Sequence, residues 1–207
     1  MFVVDDDASV RGALARLLHS AGYQTKTFAS AESFLAQSHF DAPGCIILDV
    51  RMPGLNGLEL QQALAAADRQ LPIVFITGHG DVPMSVRAMK AGAEDFLPKP
   101  FGDEELLKAV VQALNKSQRE QNERTEVARI RRRLSSLTPR EREVLCHVVA
   151  GQLNKQIASD LNIAEKTIKV HRARVMEKMG ATSLAGLVAM GARIGIHVPA
   201  QADKMQK

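Results

Sequence analysis

The sequence predicts an α/β fold, a doubly wound parallel sheet of five strands, followed by an all-α unit of four helices that includes a helix-turn-helix. Three observations carry this expectation. Short apolar runs such as Phe2-Val-Val4, Cys45-Ile-Ile-Leu48 and Ile73-Val-Phe-Ile76 alternate, in the first half, with stretches of helical periodicity. After residue 137 only helical segments follow, two of them joined by the short turn Leu161-Asn-Ile-Ala164. The charge also changes sign: residues 1–118 carry 10 Lys+Arg against 14 Asp+Glu, whereas residues 119–207 carry 17 against 9. An acidic half joined to a basic half implies that only the second meets a polyanion.

Composition excludes several classes. At 207 residues, 45% apolar and 24% charged, the chain has the make-up of an ordinary soluble protein, long enough for two domains. No apolar run approaches the roughly 20 residues a membrane helix needs, and no signal-peptide pattern opens the sequence. Cys45 and Cys146 lie far apart without metal-ligand spacing and read as buried thiols of a reducing cytoplasm. The six histidines are scattered, which argues against a His-based metal site.

Taken in order, Phe2–Val4 is a short buried strand that runs into Asp5-Asp6-Asp7. In residues 8–20, Val10, Leu14, Leu17 and Leu18 stand at helical spacing, and Gly22 ends that helix. Tyr23–Phe28 alternates like a strand, and Ala31–Gln37 reads as a short helix. Cys45–Val50 is an apolar run interrupted by the single acid Asp49, with Pro53 and Gly54 opening a loop beyond it. Helix is predicted over Leu58–Ala66, strand over Pro72–Thr77, helix over Val82–Ala91, strand over Asp95–Lys99 and a closing helix over Asp103–Asn115.

On that sheet Asp5 and Asp6 follow strand one, Asp49 ends strand three, Thr77 ends strand four and Lys99 ends strand five. Open α/β sheets bind ligands at the carboxyl edge, which here gathers three acids, a hydroxyl and an ammonium. Asp49 alone is as readily a helix cap at a loop edge as a functional acid; its company decides the reading. Three close carboxylates repel one another unless a cation intervenes. All-oxygen ligands suit Mg²⁺, with Mn²⁺ as a substitute. Such a metal would screen an incoming phosphoryl group and leave Asp49 as nucleophile, with Lys99 and Thr77 on the remaining phosphoryl oxygens.

These residues resemble the response-regulator receiver domain, a flavodoxin-like fold, over roughly residues 1–118. Leu48-Asp-Val-Arg-Met-Pro-Gly54 and Thr77-Gly-His-Gly-Asp-Val-Pro-Met84 resemble its FixJ-like branch. The resemblance implies that Asp49 accepts phosphate from a sensor histidine kinase. It implies that Asp6 binds the metal directly, Asp5 through water and Arg51 through its backbone carbonyl. Phe96 matches the aromatic switch position coupled to Thr77, although an arbitrary Phe there is as often core. The Lys99-Pro100 bond is expected to be cis. The face made by residues 82–100, including Val86 and Lys90, is expected to carry dimerisation after phosphorylation.

Residues 115–133 are polar and lack Gly and Pro, which predicts a helical linker, assigned to 119–136. Val127, Ile130, Leu134 and Leu137 form an apolar seam suited to either domain or to a second chain. The run Arg131-Arg-Arg133 reads first as a solvated face, with DNA phosphate as the sharper alternative. Thr138, Pro139 and Glu141 then give a cap, a first helical residue and a capping box. Val144, Leu145, Val148 and Val149 face the core until Gly151, and Asn154 is expected to cap the next helix. Helices over Glu165–Met179 and about Ser183–Arg193 complete a unit over 137–197, with 198–207 read as a disordered tail.

On the helix 165–179, Ile168, Val175 and Met179 share one face, opposite Lys166, Lys169, Val170, Ala173 and Arg174. Basic groups around small apolar ones suit a major groove, though a basic helix face alone is commonly just solvated. Thr138-Pro-Arg-Glu-Arg-Glu-Val-Leu145, Asn154-Lys-Gln-Ile-Ala158 and Lys166-Thr-Ile-Lys-Val-His-Arg172 resemble the LuxR-type DNA-binding domain over roughly 136–197. By that resemblance Lys155 contacts phosphate, and Lys166, Thr167, Lys169, Val170 and Arg174 lie at promoter DNA, with Arg172 nearer the core side and His171 structural. Ala164 departs from relatives that carry a capping Ser there. The two resemblances together imply a cytoplasmic, phosphorylation-dependent transcriptional regulator that dimerises, engages RNA polymerase and mostly activates. Its only chemistry would be gain and slow loss of its own aspartyl phosphate. The competing reading, a phosphatase using Asp49 as nucleophile, lacks a second acid two residues on, where Arg51 stands.

Overall fold

The computed structural model describes residues 1–37, 43–67, 71–78 and 82–196. The expected tail 198–207 and residues 79–81 lie outside these. The chain divides into two compact units, Met1–Asn122 and Glu123–Lys207.

In the first unit, strands β1 (Phe2–Val4), β2 (Lys26–Phe28), β3 (Ile46–Asp49), β4 (Ile73–Thr77) and β5 (Asp95–Pro98) alternate with helices α1 (Ala8–Ser20), α2 (Ala31–Leu35), α3 (Gly57–Ala66), α4 (Val82–Lys90) and the start of α5 (Asp103–Ser135). The strands form one parallel sheet in the order β2-β1-β3-β4-β5. This is the doubly wound arrangement the alternation predicts. Because successive strand residues face opposite sides, the sheet feeds two cores. Val4, Ile46, Leu48 and Phe75 pack with Phe34, Leu60 and Leu64 on one side. Val3, Ile47, Val74 and Ile76 pack with Leu14, Leu18, Leu106 and Val110 on the other. Strands β3 and β4 are buried throughout, so their polar ends can only sit at the sheet's carboxyl edge.

Two elements differ from the sequence expectation. The strand read over Tyr23–Phe28 pairs only from Lys26, because the Tyr23 N–H returns to the Leu18 carbonyl and its ring joins the core beside α1. The closing helix does not stop at Asn115 but runs to Ser135 without a break. The stretch beyond Asn115 has no Gly or Pro and is rich in Gln, Glu, Lys and Arg, which favour a helical backbone even without a continuous apolar stripe.

The second unit takes the last turns of α5, then α6 (Pro139–Val149), α7 (Asn154–Asp160), α8 (Glu165–Met179) and α9 (Leu184–Arg193). Its core joins Ile130 and Leu137 to Val144, Leu145, Val148, Ile157, Ile168, Val175, Met179 and Leu187. Ile130, Leu134 and Leu137 of the linker's apolar seam therefore pack on this unit, while Val127 lies outside its core. Helix α6 opens with the expected capping box of Thr138 and Glu141. Asn154 is the first residue of α7 rather than its cap; Leu153 holds the cap position, its N–H satisfied by the Gln156 side chain. Each unit holds one of the two cysteines, Cys45 just before β3 and Cys146 on α6; neither is in a disulfide. No helix among the described residues is long and apolar enough to cross a membrane.

Candidate functional site

The carboxyl edge of the sheet brings Asp5, Asp49 and Lys99 together. Lys99 Nζ stands 2.9 Å from Asp5 Oδ2 and 2.9 Å from Asp49 Oδ1. The second oxygen of each acid is occupied by the backbone: Asp7 N–H donates to Asp5 Oδ1 at 2.8 Å and Arg51 N–H to Asp49 Oδ2 at 2.7 Å. Both acids are almost fully buried. Burial pushes the Asp49 carboxyl above its ordinary pKa; the Lys99 ammonium pulls it down, Asp5 pushes it up again, and the net is upward. For Lys99, burial lowers the pKa but its bonds to Asp49 and Asp5 outweigh it, so its ammonium is held more firmly than usual. The Lys99–Pro100 peptide bond is cis.

Asp6 stands apart from the other two acids. It is exposed, and among the described residues no three His, Cys, Asp or Glu side chains converge as a metal cluster. The physical reason is charge: the two buried carboxylates already share one ammonium, and a third acid is cheaper in water than beside them. The donor chemistry still fits a hard dication. Asp5, Asp6, Asp49 and the Arg51 carbonyl offer only oxygen, and each buried carboxylate oxygen, having accepted one hydrogen bond, keeps a second lone pair.

Thr77 is buried at the end of β4, and its carbonyl accepts from the Lys99 N–H at 2.7 Å. Phe96, half-buried on β5, lies against Phe75 with ring centroids 6.2 Å apart. The loop after Asp49 is held tightly. A Cβ on Gly57 would lie 2.4 Å from the Asp49 carbonyl oxygen, so only glycine permits this approach. Asn56 and Glu59 cap α3 reciprocally, and Glu32 of α2 accepts from the Leu55 N–H at 2.9 Å. Sequence reasoning missed Glu32 and also Arg11, whose guanidinium donates to the Asp5 carbonyl at 2.6 Å. Neither leaves a pattern, since each reaches a backbone group outside its own helix.

In the second unit, Ile168, Val175 and Met179 of α8 are fully buried, which leaves Lys166, Thr167, Lys169, Val170, Ala173 and Arg174 on the exposed face. Lys169 pairs with Glu165 at 3.3 Å, and Lys155 of α7 is exposed. Arg172 is half-buried and donates to Asn154 Oδ1 at 3.2 Å, which ties α8 to the start of α7. Asn162, in the turn between them, adopts the left-handed conformation with φ 53°, which Asn tolerates better than other side chains. Ala164 caps α8 without any side-chain hydrogen bond.

The comparisons with known proteins agree with both halves. Residues 1–111 match the response regulator receiver domain family, and residues 135–191 match the bacterial regulatory proteins of the luxR family. Nodulation protein W of Bradyrhizobium diazoefficiens is 47% identical over 95% of this chain and 86% of its own length. The transcriptional regulatory protein FixJ of the same species is 43% identical, over 95% of this chain and 96% of its own. Among solved structures, the response regulator StyR aligns over 93% of this chain and 97% of its own at 49% identity and a TM-score of 0.83. Full-length FixJ from B. japonicum aligns over 95% and 97% at 43% identity and a TM-score of 0.56. With an acid–lysine cluster at the sheet edge of one unit and a helix-turn-helix in the other, the chain belongs to the two-component response regulators of the FixJ type, transcription regulators that join a receiver domain to a LuxR-type DNA-binding domain.

Proposed function

We propose that phosphorylation of Asp49 controls DNA binding by this chain. The observation that carries the reading is Lys99, bonded at 2.9 Å to both buried acids of the sheet edge. An Asp49 carboxylate oxygen attacks the phosphorus of a phosphohistidine on a sensor kinase. The P–N bond breaks, its electron pair returns to the imidazole nitrogen, and that nitrogen takes up a proton from water. Lys99 turns from the carboxylate to a phosphoryl oxygen, and the Thr77 hydroxyl donates to a second. Asp5, Asp6, Asp49 and the Arg51 carbonyl would hold a Mg²⁺ or Mn²⁺, which would offset the charge of the phosphoryl group. Water later hydrolyses the acyl phosphate; the chain turns over no other substrate.

Phosphorylation replaces the single negative charge of Asp49 by about −1.5 to −2, carried on phosphoryl oxygens beside Thr77. Movement of Thr77 toward them leaves space for Phe96 to turn inward, which alters the face of α4 and β5. That face supports dimerisation: Val82, Val86 and Met89 recur at helical spacing on α4 and are 76%, 43% and 46% exposed. The functional divisions are a receiver over 1–118, a helical linker over 119–136 and a DNA-binding domain over 137–197. Lys155, Lys166, Thr167, Lys169, Val170 and Arg174 meet promoter DNA, and Arg172 braces them through Asn154. The dimer acts in the cytoplasm, engages RNA polymerase and activates transcription, as the resemblance to FixJ implies.

The test is promoter-DNA affinity at fixed salt, with and without acetyl phosphate and Mg²⁺, for wild type and Asp49→Ala. Tighter binding is expected only in treated wild type. Equal binding in all four samples would place control outside Asp49.

A further inference from the structure

We propose that Arg133 is a positioning residue for DNA binding: from the end of the linker helix it holds the carboxyl end of α8 in place. Its Nη1 donates to the Met179 carbonyl at 2.9 Å, one of the last carbonyls of α8. Those carbonyls lack partners within the helix and carry its partial negative charge, so a guanidinium there satisfies both. The residue after Met179 is shaped for this contact. Gly180 sits at φ 63°, and a Cβ on it would lie 2.7 Å from Arg133 Nη1 and 2.8 Å from its Cζ. Gly180 thus suits the left-handed turn, and a side chain there would push the Arg133 guanidinium from its place.

Two further bonds fasten the same end of α8. Lys178, also in the last turn of α8, pairs with Glu141 of α6 at 2.6 Å and reaches the Ser136 carbonyl at 3.5 Å. One turn before Arg133, Ile130 is fully buried in the core of this unit. The end of α5 is therefore an internal part of the DNA-binding unit, although the luxR-family match begins only at residue 135. Of the three consecutive arginines, Arg133 reaches inward to a carbonyl of its own unit rather than remaining a plain solvated charge. If α8 is to present Lys169 and Arg174 to a groove, both ends of the helix must be fixed. Ala164 fixes the first without a side-chain bond, so the far end carries more of that task.

The inference rests on the reading of α8 as the helix that meets DNA, and the test separates the two. The probe is a duplex selected in vitro from a random-sequence pool by the wild-type full-length chain. Affinity is measured against salt for wild type, Arg133→Ala, Arg133→Lys, Gly180→Ala and Lys169→Ala, with circular dichroism at the assay temperature to establish that each is folded. Loss of a direct phosphate contact lowers the salt slope by about one, as expected for Lys169→Ala. Arg133→Ala and Gly180→Ala should instead weaken binding about tenfold with the slope unchanged. Arg133→Lys, which keeps the charge but not the planar fork, should lose less, and it serves as the test should Arg133→Ala fail to fold. Unchanged affinity in folded Arg133 variants overturns the proposal even if their melting temperature falls. A slope reduced by one also overturns it, because Arg133 would then be a phosphate contact. An unaltered slope in Lys169→Ala would count against the reading of α8 instead.

Discussion

Lys178 Nζ stands 2.6 Å from Glu141 Oε2, joining the last turn of α8 to the first turn of α6. The same carboxylate accepts from the Thr138 N–H at 2.9 Å and so completes the α6 cap. The Lys178 bond first, and the Thr138 N–H after it, lower the Glu141 pKa from 4.5 to about 2. A depressed carboxylate stabilises the fold above its unfolded pKa and loses that contribution as pH falls. The DNA-binding unit should therefore keep this stabilisation above pH 4.5 and lose it progressively as pH drops toward 2. Glu141→Gln should flatten that part of the curve, which urea denaturation at a series of pH values will read.

Gly57 should tolerate no side chain. A methyl group there would meet the Asp49 carbonyl oxygen at 2.4 Å and Val50 Cα at 3.0 Å. These are backbone atoms of the buried central strand, so relief requires α3 to move away from β3. Gly57→Ala is expected to destabilise the receiver by about 1–3 kcal/mol, the scale of overpacking in a closed core. Chemical denaturation measures this, and acetyl phosphate labelling should slow in parallel because the same backbone sets Asp49.

Ala164 leaves the start of α8 without a side-chain acceptor. Ala164→Ser should supply one and stabilise the second unit by about 1 kcal/mol. The thermal midpoint should rise; a fall would mean that the serine takes another rotamer.

Ile130→Ala should behave as a core mutation of the DNA-binding unit although it lies in the linker. Its full burial with Val144, Leu145 and Met179 predicts a loss of about 2–5 kcal/mol. Val127, half-buried one turn earlier and outside that core, should cost far less when truncated. Denaturation of the two variants side by side gives the comparison.

The sheet edge was legible because strands buried on both faces write themselves as apolar runs, and Asp49, Thr77 and Lys99 stand where those runs end. Which of two adjacent acids turns inward was not. Asp5 and Asp6 differ only by the pleat of one residue, and a sequence does not state that phase. Resemblance implies that Asp6 meets a metal directly and Asp5 through water; in the structure Asp5 is the buried acid that holds Lys99, and Asp6 is exposed. The length of α5 was obscured because its middle has no apolar stripe, the signal on which a helix is usually recognised. Arg133 was hidden for a different reason: its partner is a backbone carbonyl 46 residues away, and backbone atoms have no letter in a sequence.

The distribution of thiols has a practical outcome. Cys45 is fully enclosed and burial pushes its pKa up to about 12, while Cys146 is partly accessible. Only a thiolate reacts readily with alkylating or oxidising reagents, so Cys45 stays inert until the sheet opens. Labelling kinetics of the Cys45 peptide, resolved by mass spectrometry, thus clock the opening of the first unit in the unaltered chain, with the partly accessible Cys146 as an internal reference. Thiol oxidation by peroxide should likewise reach Cys146 before Cys45.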